Sequence, residues 1–144
     1  MIMKFSVFTV MAPDTTPEQM VQYLKETGYD GVEWRFKETP EELKSQPTSF
    51  WGNNLCTISP DSTEEELDNL LHLTKSNGIE VTSVTPYLTA GDLTSTERVL
   101  QVAQKLGATS IRVGVPRYDG TQNYNDLFKT GVEYLKDVEQ MCKQ

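Results

Sequence analysis

Glu33, Arg35, Ser83, Thr85 and Arg112 stand at alternate positions of short runs with strand composition, and Val32, Trp34, Val84, Ile111 and Val113 fill the positions between them. Side chains alternate across a strand, so one face collects a carboxylate, two guanidinium groups and two hydroxyls while the other is apolar. A single carboxylate builds neither an acid/base pair nor a metal cage, so no catalytic residue and no metal ligand is assigned. Recognition is the chemistry that remains. Glu33 and Arg112 share the polar phase and are expected to form an ion pair across a lumen, either orienting a polar ligand or satisfying each other as a buried polar network. Arg35 and Arg117, near the strand ends, suit an anionic group such as phosphate, which guanidinium forks match bidentately. Tyr87 and Tyr118 follow the third and fourth strand patterns, and Trp51 offers a stacking or water-excluding surface. The expected binding set is therefore Glu33, Arg35, Trp51, Thr85, Tyr87, Arg112 and Arg117. The one histidine, His72, lies beside leucines in a helical run and is expected on a helix surface.

The elements that must position these groups repeat. Residues 4–10, 30–36, 79–85 and 110–115 read as strands, and each is followed by a helical pattern. Thr16-Pro17 opens the first helix, which Gly28 ends. Ser62 or Thr63 caps the second, closed by Asn77-Gly78; Thr94 or Ser95 opens the third, before Gly107; the fourth runs from about Asn125 to the terminus. Strands alternating with helices argue for a parallel sheet. The one-sided polarity favours a barrel wall, since an open doubly wound sheet has helices on both faces and is apolar on both. Four such units make one (β/α)4 domain over residues 1–144, half of a TIM barrel, because a closed eight-unit barrel needs roughly 250 residues. A flavodoxin-like open sheet is the alternative. The one long interruption, Lys37 to Asp61, is read either as a lid over the pocket mouth or as a short helix, Glu41 to Ser45, followed by a loop whose aromatics patch the rim.

Composition narrows the function classes. A net charge of −8 repels phosphate backbones and argues against a nucleic-acid partner. Mean hydropathy is −0.48 and no apolar run approaches membrane length. The N-terminus lacks signal-peptide character, and Cys56 and Cys142 give no disulfide framework, so a cytoplasmic setting is expected.

Three segments carry a family resemblance. Thr27-Gly28-Tyr29-Asp30-Gly31-Val32-Glu33, Gly78-Ile79-Glu80-Val81-Thr82-Ser83-Val84 and Leu106-Gly107-Ala108-Thr109-Ser110-Ile111-Arg112-Val113 resemble, in order and spacing, the second, third and fourth strand regions of the xylose isomerase-like barrels, the sugar phosphate isomerase/epimerase family. The resemblance implies a TIM barrel of which this is the N-terminal half. It also implies a divalent metal, held in the family by Glu, Asp, His and Glu on later strands that have no matching positions here. The third strand departs from the family pattern, since Thr85 precedes Pro86-Tyr87 where several members place a histidine.

Two functions follow as expectations. One is the N-terminal half of a metal-dependent sugar or sugar-phosphate isomerase/epimerase, working by proton transfer through an enediolate and inactive on its own. The other is a non-catalytic half-barrel that binds carbohydrate or a partner and pairs with a second half-barrel, either a copy of itself or a missing C-terminal half.

Overall fold

The computed structural model describes residues 3–143. In chain order the elements are β1 (Ser6–Phe8), a 3-10 turn (Thr9–Met11), α1 (Pro17–Thr27), β2 (Gly31–Phe36), α2 (Glu41–Lys44), β3 (Thr57–Ile58), α3 (Glu64–Asn77), β4 (Glu80–Thr85), α4 (Leu93–Leu106), β5 (Ser110–Ile111) and α5 (Tyr124–Met141). Every strand pair is parallel and the sheet runs β1-β2-β4-β5, in the order of the chain. That order has no reversal point, so the flavodoxin-like alternative is overturned. The helices follow suit, with α1 packed on α3, α3 on α4 and α4 on α5. No helix among the described residues is long and apolar enough to cross a membrane.

Local chemistry sets the boundaries. Thr16 and Gln19 form a capping box over Pro17, and Thr63 and Glu66 form another at the start of α3. Gly28 and Gly78 close α1 and α3 in the left-handed conformation, with φ of 78° and 72°. The start of α4 corrects the expectation of Thr94 or Ser95: Asp92 is the cap, and its carboxylate accepts the Ser95 amide. Asn123 caps α5, which starts at Tyr124, one residue before the expected Asn125, and ends at Met141; Gln144 lies outside the described residues.

Two strands are shorter than their patterns. β1 stops at Phe8 because the chain turns at Thr9, whose hydroxyl accepts the Arg35 amide in place of a ladder carbonyl. β5 pairs only through Ser110 and Ile111. β3 was not expected. The Gly31 and Lys37 amides bond to Phe5 and Ile58 carbonyls respectively; residues 31 and 37 are in the same phase, so β3 continues along the β2 edge that β1 leaves.

One apolar core lies between sheet and helices. Val32, Trp34 and Phe36 from β2 and Val81 and Val84 from β4 meet Val21 and Leu24 of α1, Leu67 and Leu70 of α3, and Val99 and Val102 of α4. A register shift at Val32/Glu33 takes up Thr82 as an extra residue, which keeps Trp34 level with Val84 and Glu33 level with Ser83. The polar phase is thereby preserved to the strand ends, facing away from the helices.

Candidate functional site

Side chains on the polar face begin with Glu33, whose carboxylate accepts the hydroxyl of Thr85 from the neighbouring strand. Arg35 departs from the expectation of a ligand-facing group at the mouth. It is 1% exposed, donating from Nη1 to Thr57 Oγ1 at 2.7 Å and from Nη2 to the Trp51 carbonyl at 3.1 Å. The 37–61 insertion returns across β2 as β3, and Arg35 ties it down. Within it Asn53, Asn54 and Cys56 are buried, and the Asn54 amide reaches the Val10 carbonyl. The expected short helix is present as α2. Trp51 remains 64% exposed above this packed base, so it neither shuts the site nor disappears into the rim.

Tyr87 is the hub of the rim. The Trp51 ring meets it edge-on, with centroids 6.4 Å apart and an interplanar angle of 88°. Arg112 Cζ stands 4.7 Å from the Tyr87 centroid, Lys37 Nζ 5.5 Å and Arg35 Cζ 5.7 Å, all within cation–π range. Arg112 is held there by the Pro86 carbonyl, which accepts from Nε at 3.2 Å and from Nη2 at 2.7 Å.

That geometry overturns the expected Glu33–Arg112 ion pair, which is absent among the described residues. The register explains why. Glu33 is level with Ser83, while Ile111 pairs with Val84 and so puts Arg112 one step beyond, level with Thr85. The two charges are thus separated by the width of β4 and by two residues along the strands, about 10 Å sideways and about 7 Å lengthwise.

The structure brings Trp51, Tyr87 and Arg112 together with Arg35 behind them, with Thr85 at the level of the two arginines and Glu33 one level deeper. Arg117 is exposed and makes no hydrogen bond, ion pair or aromatic contact to this group among the described residues. Tyr118 turns instead to α5, edge-on to Tyr124 at 5.6 Å, and Tyr124 stacks on Phe128. Lys37 is the rim residue that sequence reasoning missed. Its signal was available, since it continues the alternation of Glu33 and Arg35.

His72 is exposed on α3, beside a groove between α1 and α3 that also includes Glu18 and Leu70 and lies on the helical side. Among the described residues no three His, Cys, Asp or Glu side chains converge. The donor set on the polar face, one carboxylate bonded to one threonine, does not fit the divalent metal implied by the family resemblance.

A parallel half-barrel wall with an aromatic and cationic rim at the carboxyl ends of its strands is the class that fold and site define. No protein-family model matches the sequence, and no curated protein matches it. Solved structures do. D-Psicose 3-epimerase from Clostridium cellulolyticum H10, crystallised with D-tagatose, superposes with a TM-score of 0.68 at 15% identity, over 98% of this chain and 49% of its own. The 3-keto-D-glucoside 4-epimerase of E. coli gives 0.67 at 17% identity, over 99% and 52%. A xylose isomerase domain-containing protein from Salmonella typhimurium LT2 gives 0.61 at 21% identity, over 96% and 46%. The chain spans about half the length of these structures and fits the N-terminal half of a xylose isomerase-like barrel. At such identities the likeness establishes the fold.

Proposed function

We propose that this chain supplies the sugar-holding N-terminal half of a sugar isomerase/epimerase barrel and is inactive by itself. The observation that carries this reading is the Trp51–Tyr87 pair beside Arg112 at the strand ends, where barrels of this kind carry their sites. Aromatic faces cover the C–H surface of a sugar, and the Glu33 carboxylate, fixed by Thr85, accepts from its hydroxyls. Moving a proton next to a carbonyl requires a matched base and acid, and Glu33 alone offers one partner. The second half-barrel is therefore assigned the remaining acid/base groups and whatever metal the reaction uses.

A second reading has its own support. β1 and β5 each pair on one side only among the described residues, and two copies joined at these edges would close eight strands. The assembly would then be a carbohydrate-binding module without catalysis.

Both readings require sugar binding at the rim. Tryptophan fluorescence reports it, because Trp51 is exposed at the site while Trp34 is fully buried elsewhere. Titration with D-fructose or D-tagatose should give a saturable change, weakened about fivefold by Tyr87→Ala, the loss of one aromatic contact. A linear response in the native protein, or equal affinity in the variant, would refute the sugar pocket.

A further inference from the structure

Lys37, Arg112 and Arg35 place three cationic centres within 5.7 Å of one ring centroid. None of the three enters an ion pair among the described residues, although the chain pairs Lys4, Lys44, Lys105, Lys129 and Lys143 elsewhere. With 21 acidic residues against 13 basic ones, unpaired cations are not forced by composition. Like charges gathered this closely repel, and the Tyr87 quadrupole offsets only part of that repulsion. Arg35 sharpens the point. It is 1% exposed, so water does not compensate its charge, and its Nε has no hydrogen-bond partner. Its other contacts are a hydroxyl and a carbonyl, both neutral.

We propose that the rim at Tyr87 binds an oxyanion, the carboxylate or phosphate group of a sugar-like ligand. Arg112 uses Nε and Nη2 on the Pro86 carbonyl, which leaves Nη1 to donate, and the exposed Lys37 ammonium supplies further donors; the field of Arg35 adds from behind. Glu33 lies deeper along the same strand and repels an anion there. The ligand is therefore oriented, anionic end at the rim and hydroxyl end toward Glu33. This deepens the sugar-pocket reading and rests on it for the sugar part of the ligand.

The test uses the full chain and tryptophan fluorescence with D-glucuronate, D-glucose and inorganic phosphate as probes. The expected result is D-glucuronate binding about tenfold more tightly than D-glucose, with about a tenfold loss in Lys37→Gln and in Arg112→Gln and none in Lys136→Gln on α5. Phosphate competing for the site at lower concentration than glucuronate identifies a phosphate ester as the better source; the reverse order identifies a sugar acid. Phosphate binding that Lys37→Gln abolishes, with neither sugar bound, upholds the oxyanion site and removes the sugar reading. Equal binding of D-glucose and D-glucuronate without phosphate binding overturns the oxyanion site and leaves the sugar pocket standing. Anion binding unchanged in both rim variants, or no binding of any probe, also overturns it. The Lys37 side chain makes no hydrogen bond among the described residues, so Lys37→Gln remains informative if Arg112→Gln fails to fold.

Discussion

Pro86 marks the end of β4, and its carbonyl, free of the ladder, collects two donors of Arg112 and so sets that side chain beside Tyr87. This is a residue-scale cause with a site-scale result, and it was not legible in the sequence. Alternation did reveal that Glu33, Arg35, Thr85 and Arg112 share a face, since period two is local. It could not reveal the level of each residue along the barrel, because that depends on the register shift at Val32/Glu33 and on where β5 starts to pair. Arg35 was misjudged for a related reason: its exposure depends on where a distant insertion returns. The same insertion buries Cys56, whose thiol is pushed up to about 12 by burial first and by the nearby Glu18 charge second. Iodoacetamide at mildly alkaline pH should therefore modify the exposed Cys142 and spare Cys56 until the chain is unfolded, which mass spectrometry of the digested peptides will show. Rapid modification of Cys56 in the native protein would contradict its burial within the 37–61 segment.

Helices were the legible elements, because caps and left-handed glycines are written within a few residues. Thr16, Thr63, Gly28 and Gly78 do what their types imply. The Asp92 cap was missed because Thr94 and Ser95 also suit a helix start, and only the backbone path chooses among them. β3 was missed because two residues joined to a distant strand have no period to detect. At α3 the capping box makes a pH prediction. The Thr63 amide, and then its hydroxyl, donate to Glu66 and hold its carboxyl below the usual value. A carboxyl depressed in the folded state stabilises fully above its unfolded value, and that stabilisation is lost as pH falls through the folded one. Glu66→Gln keeps an acceptor for the box, so Tm at neutral pH should change little, while the fall in Tm between about pH 5 and about pH 3 should become shallower. Asp92, depressed in the same direction by the Ser95 amide and hydroxyl, leaves part of that fall in place. An acid limb identical to that of the native protein would exclude the box as its source.

At the scale of the whole molecule, sequence alternation and segment order favoured the half-barrel, because βα units of this length admit few topologies and one-sided polarity suits the wall of a barrel, but the flavodoxin-like alternative fell only to the observed strand order. What covers the wall was less legible. The polar face opens where a closed barrel would have its lumen, and β1 and β5 carry unpaired edges among the described residues. Val115 and Tyr118, on the chain that follows β5, join Tyr124 and Phe128 of α5 in an exposed apolar strip. Open strand edges bordered by apolar surface are what neighbouring barrel units would bury. If a second half completes this wall, the solution mass of the chain will show it. Size-exclusion chromatography with light scattering should give a species of at least twice 16.3 kDa, with a discrete dimer marking a barrel closed by two copies. A stable, monodisperse species of 16.3 kDa would rule out completion by a second half, since the open edges would then need no partner.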